Sequence, residues 1–157
     1  MKLLRYQTSS LKFVYPDYCN IQVQSRVDYE HLIVINPLLD HAAAGRIEVA
    51  ITAKNNSVSP ASIAFEHRRR LLVQRVSIKD SSLIPSPVPE RFETAWFYWP
   101  IAAFNDTEID APLLIYETPL CFLHLALVGP GEGTLAPLWK LNQSAFVSIR
   151  DSVRLVK

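Results

Sequence analysis

Through the first third of the chain, apolar and polar residues alternate with the two-residue period of β-strands. Leu11, Phe13 and Tyr15 alternate with Lys12 and Val14, which predicts a short strand over Ser10 to Tyr15, stopped by Pro16-Asp17. From Tyr18 to Gln24 the pattern repeats. Cys19, Ile21 and Val23 face one way and Tyr18, Asn20, Gln22 and Gln24 the other, so this strand is half exposed. His31 to Ile35 is a nearly continuous apolar run rich in β-branched residues, and reads as a buried strand ended by Asn36-Pro37. Arg46 to Ala53 alternates again, with Ile47, Val49 and Ile51 inward and Arg46, Glu48, Ala50 and Thr52 outward. A turn at Arg26 to Glu30 and a connector at Leu38 to Gly45 join these segments into antiparallel hairpins, and no repeat period is visible.

The period then changes to that of a helix. Ser59 has the side chain of an N-cap, and Pro60 suits the first helical position, where its missing N–H costs nothing. Ile63, Ala64, His67 and Leu71 share one face; Glu66, Arg69 and Arg70 lie towards the other. Val73 to Ile78 alternates as a short strand would. Ile84 to Glu90 carries a proline at every second position and reads as an extended linker or edge crossing.

That linker leads into the densest aromatic run, Glu90 to Ile101. Phe92, Thr94, Trp96 and Tyr98 fall on one side, and Ala95, Phe97 and Trp99 on the other. Both sides are largely apolar, which predicts a central strand covered on each face. Ala102 to Pro112 reads as a polar loop at the tip of a long hairpin. Leu113 to Glu117 and Leu120 to Val128 read as one or two strands, with Pro119 marking a bend or edge, and the glycine-rich stretch Gly129 to Gly133 as a turn. A second amphipathic helix is predicted from Pro137 to Val153. Its apolar stripe is Leu138, Leu141, Ala145, Ile149 and Val153, with Lys140, Gln143 and Arg150 opposite.

Composition narrows the class. A chain of 157 residues with 49% hydrophobic and 20% charged residues fits one globular domain, spanning 1–157. A net charge of +1 argues against a dedicated nucleic-acid binder, which needs a basic excess to meet phosphates. Cys19 and Cys121 each lie in apolar runs and read as buried thiols. Arg5, Gln7 and Thr8 interrupt any apolar signal region near the start, and the apolar stretch from Pro119 to Pro130 is too short to span a bilayer. The expectation from these features is a cytoplasmic protein.

Chemistry-bearing motifs are sparse. The G-P-G-E-G run has the spacing of neither a dinucleotide fingerprint nor a Walker loop, and no G-x-S-x-G is present. His31, His41, His67 and His124 form no metal-binding spacing, and each reads as a satisfied or solvated histidine. Asp106, Glu108 and Asp110 lack the glycine and terminal glutamate of a calcium loop. No catalytic, metal or cofactor residue is therefore predicted. Trp96, Tyr98 and Trp99 read either as sheet core or as an aromatic hot spot for a partner. Arg69 and Arg70 suit the helix dipole, and are also candidate partner-facing cations. If two helices cover the aromatic strand, the loop beside it (Asn105, Asp106, Glu108 and Asp110) becomes the stronger candidate for partner binding.

Three segments carry a resemblance. The opening L-K-F-V-Y-P-D-Y-C-N-I-Q-V resembles the start of the PsbP-like superfamily, where an aromatic-rich strand runs into Pro-Asp or Pro-Glu. The segment S-V-S-P-A-S-I-A-F-E-H-R-R-R-L-L is similar to the first helix of that group, and W-K-L-N-Q-S-A-F-V-S-I-R-D-S-V-R-L to its last. The resemblance implies an α+β fold, a three-layer α/β/α sandwich around a mostly antiparallel sheet. It further implies a binder without catalytic residues, since the superfamily holds photosystem accessory proteins, Ran-binding import factors and proteins associated with type VI secretion effectors. The expected function is a non-enzymatic protein-binding domain, an immunity or chaperone protein for one secreted effector. The alternative is a ligand binder or enzyme with a pocket between sheet and helix, using His67, His124 or the acidic loop.

Overall fold

The aromatic run lies in the interior of an eight-stranded antiparallel sheet. The computed structural model describes residues 1–25, 30–35, 45–73, 76–104, 107–130 and 136–156. Among these, β1 (Leu3–Gln7), β2 (Leu11–Pro16), β3 (Asn20–Ser25), β4 (His31–Ile35) and β5 (Arg46–Ala53) precede helix α1 (Pro60–Val73). Next come β6 (Ser77–Pro85), β7 (Thr94–Phe104), β8 (Thr107–Asp110), β9 (Leu113–Glu117) and β10 (Cys121–Pro130). Helix α2 (Ala136–Ser152) and β11 (Arg154–Leu155) close the chain. The large sheet runs β3-β4-β5-β10-β8-β7-β6, with β9 between β10 and β7, and a small sheet runs β1-β2-β11. The fold is thus α+β with mostly antiparallel pairing.

Helix α1 starts where its sequence says it should. Ser62 N donates to Ser59 Oγ at 3.1 Å and Ser59 N donates to Ser62 Oγ at 2.8 Å, a reciprocal cap around Pro60. Its buried residues are Ile63, Ala64, His67 and Leu71, the face that the helical spacing predicts. Strand β10 shows what each helix covers. Leu123, Leu125 and Leu127 join a cluster with Ala145, Phe146 and Ile149 of α2. Phe122 and Ala126 join Ile63 and Ala64 of α1. Alternate residues of a strand point to opposite faces, so α1 and α2 pack on opposite sides of β10.

Several expectations are corrected. The face of β5 that carries Glu48, Ala50 and Thr52 was expected outward, yet Glu48 and Ala50 are buried because α1 lies over them. The polar loop expected over Ala102 to Pro112 is mostly ladder, with Ala102 opposite Ile109 and Ala103 opposite Glu108. Its apolar residues explain this: Ala102, Ala111 and Ile109 pack with Leu71 of α1 and Val128. Val73 ends α1 rather than opening a strand, and β6 begins at Ser77. The proline linker also contributes to the sheet, since Ile84 and Pro85 pair with Phe97 and Trp96. Strand β6 is a sheet edge, where a proline without a donor is tolerated. Strand β10 extends through Gly129 to Pro130, so part of the expected glycine turn is ladder. Gly45, just before β5, has φ 73°, and a Cβ there would run into the Val128 carbonyl oxygen. The turn expected at 26–29, the connector at 38–44 and the glycine residues at 131 and 133 lie outside the described residues.

Candidate functional site

Three of the four histidines converge on one cavity. It lies between α1 and the sheet, and its volume is about 260 Å³. Strand register explains the convergence. Ala50 of β5 sits opposite His31 of β4 on one side and His124 of β10 on the other. Glu48 and Thr52 flank Ala50 on the same face, two residues away in each direction. The small side chains of Ala50 and Ala126 leave the hollow that α1 roofs with Ile63 and His67. Val58 and Leu113 complete mostly apolar walls.

Each polar group in the wall is held. His31 Nε2 lies 3.0 Å from Glu48 Oε1, and since a carboxylate only accepts, the ring nitrogen donates. Arg46 and Arg70 approach the same oxygen at 3.9 and 3.7 Å. Burial alone would raise the Glu48 carboxyl, but the His31 hydrogen bond and the Arg46, His31 and Arg70 charges outweigh it and hold the group at about 2. His67 Nε2 donates to the Ala111 carbonyl at 2.9 Å, and the His67 ring meets Tyr98 edge-on at 6.1 Å between centroids. Burial lowers the His67 pKa against the pull of that hydrogen bond. His124 Nε2 is 3.1 Å from Thr52 Oγ1. Burial, with Arg70 and His31 adding to it, pushes His124 down to about 3. Near neutral pH the cavity therefore presents an ionised Glu48 and neutral imidazoles at His67 and His124.

The residues predicted for partner binding scatter. Tyr98 is buried at 5% exposure and presents no surface to a partner. Trp96 is half-buried against the α1 cluster. Trp99 is exposed at 55%, and its Nε1 donates to Asp110 Oδ1 at 3.1 Å. Arg69 clasps Glu66, a half-exposed residue that also lines the cavity, with Nε donating at 2.9 Å and the terminal guanidinium nitrogen at 2.6 Å. Arg70 turns instead towards the cavity. Glu108 pairs through its backbone with Ala103, while Asn105 and Asp106 lie outside the described residues. His41 does too. Cys19 and Cys121 are free and buried, and burial raises the Cys19 thiol to about 11. Among the described residues no group of three histidine, cysteine or acidic side chains is placed to hold a metal ion. No helix among them is long and apolar enough to cross a membrane.

The histidine cavity did not emerge from sequence spacing, because its members come from β4, β5, α1 and β10. A signal was present nonetheless. His124 is the lone polar residue in the apolar run from Cys121 to Val128, and Glu48 shares its face of the strand with the small residues Ala50 and Thr52.

No protein-family model matches the chain, and no curated protein matches its sequence. Its structure is similar to the solution structure of cyanobacterial PsbP (CyanoP) from Synechocystis sp. PCC 6803. The TM-score is 0.63 at 8% identity, over 98% of this chain and 92% of that one. That likeness gives the chain a PsbP-like fold.

Proposed function

We propose that this chain is a non-enzymatic binding domain that holds a small molecule in the cavity between α1 and the sheet, on a three-layer sandwich scaffold. The observation that carries the reading is the convergence of His31, Glu48, His67, His124 and Thr52 on one mostly apolar hollow. Apolar walls with a few converging polar groups are the usual make-up of a ligand site. The same chemistry speaks against catalysis. A general base works best with a pKa near the operating pH, and His124 at about 3 is far below it. His67 Nε2 is engaged with a carbonyl rather than with a nucleophile. The test is a fragment screen read by amide and histidine-ring NMR shifts. Binders should cluster their shifts on β4, β5, α1 and β10. A screen in which no fragment perturbs the residues around Ala50 would overturn the reading.

A second reading is favoured by a separate observation. Ile84, Trp99 and Ile101 lie on one face of the β6–β7 pair and are exposed at 50, 55 and 52%. Trp is enriched among interface hot spots, and a contiguous exposed apolar patch marks interaction surfaces. This supports a protein partner, for which the sequence resemblance offers a cytoplasmic immunity or chaperone role towards a type VI effector. Trp99→Ala should then abolish a stoichiometric complex with that effector and leave the melting temperature unchanged. A complex of unaltered affinity would refute the role of this face.

A further inference from the structure

We infer that the cavity beneath α1 selects an uncharged molecule of aromatic-ring size that carries one hydrogen-bond donor; this rests on the reading of the cavity as a ligand site. Size comes first. A dry cavity of ~150 Å³ takes benzene, so about 260 Å³ has room for a somewhat larger body, such as a fused bicyclic ring. The walls at Ala50, Val58, Ile63, Leu113 and Ala126 reward an apolar body by removing it from water.

Charge comes second. Both carboxylates of the wall already have cations: Glu48 has Arg46 and Arg70, and Glu66 has Arg69 and Arg70. An anionic ligand would lose its hydration and face Glu48 and Glu66. A cationic ligand would face Arg70 and find the carboxylates occupied. Either would bury a charge without a new counter-ion, which is costly.

An acceptor on the α1 side of the cavity sets the donor. The proton on His67 Nε2 is engaged by the Ala111 carbonyl, so in the neutral ring Nδ1 is left as an acceptor. A ligand hydroxyl or ring N–H complements an acceptor; a ligand carbonyl does not.

Size-matched probes separate these possibilities. Indole is neutral with one N–H, benzoate is an anion and benzylamine a cation. Each is titrated into the intact chain at about pH 7.5, where unperturbed histidine is neutral, with binding read from the ring resonances of His67 and His124. Indole should shift both, and bind at least about ten-fold tighter than either charged probe, a gap of about 1.4 kcal/mol or more. Ala126→Leu should remove indole binding by filling the hollow. Ala50→Val is a second filling variant if the first does not fold. Benzoate or benzylamine binding as tightly as indole would overturn the charge selection while leaving a ligand site in place. Silence from all three probes overturns the inference. If the wider fragment screen is silent as well, the ligand-site reading falls with it.

Discussion

Tyr98 carries a hydroxyl that is buried with no hydrogen-bond partner among the described residues, in the same layer that holds His67. A buried hydroxyl without a partner costs about 1–3 kcal/mol. Tyr98→Phe keeps the ring, its edge contact with His67 and its packing against Leu113 and Ile115. We predict that the variant is at least as stable as the parent, with a gain of up to about 1 kcal/mol in denaturant unfolding. A loss of more than about 1 kcal/mol would mean that the hydroxyl has a role that the packing around it does not explain. Neighbouring residues on β7 show how local the outcome is. Trp96 and Tyr98 turn towards α1, while Trp99, one residue further along, reaches the surface.

At the scale of elements, the legible parts were those governed by nearest neighbours in sequence. The cap at Ser59, the Pro60 start and the buried stripe of α1 are local, and the spacing displayed them. Strand β4 and the alternation of β5 were equally plain. Which side of β5 meets solvent was not, because the answer depends on a helix that follows it and folds back over it. The polar series Glu48, Ala50, Thr52 looks like a solvent face when read along the strand. Under α1 it is the floor of a cavity. Strand β8 was missed for a related reason. A stretch of four residues rich in acids has weak strand character of its own, and it joins the ladder because β7 and β10 both offer it partners. The candidate site was the least legible feature. Cross-strand register brings its histidines together, and register is not written in any one segment.

For the molecule as a whole, the buried polar layer makes stability depend on acid. In the unfolded chain a histidine takes up its proton near 6.5, but folded His124 resists until about 3. Stability is therefore unaffected by this group above about 6.5 and falls as pH drops from there towards 3. At pH 5 the loss is about 2 kcal/mol, and His67, lowered in the same direction, adds to it. Glu48 acts lower on the scale. Its folded value of about 2 lies below the ordinary 4.5, so its contribution is whole above 4.5 and is lost as pH falls from there towards 2. Urea unfolding between pH 7 and 5 should show the histidine slope, and His124→Gln should flatten it. A parent protein equally stable at both pH values would contradict this account.

The small sheet has a consequence for how the chain is made. Strand β2 is flanked by β1 from the beginning of the chain and by β11 from its far end. Val14 N donates to Ser152 Oγ at 2.8 Å, and Val156 N to the Ser10 carbonyl at 2.8 Å. A growing chain leaves the ribosome N-terminus first, so β1 and β2 can form their hairpin early. The exposed side of β2 must then wait, unpaired, until residues 154–156 have been synthesised. Phe13 and Leu11 wait with it, because the α2 residues that bury them arrive just as late. During translation this corner is an open edge beside uncovered apolar side chains, the kind of surface that a nascent-chain chaperone protects.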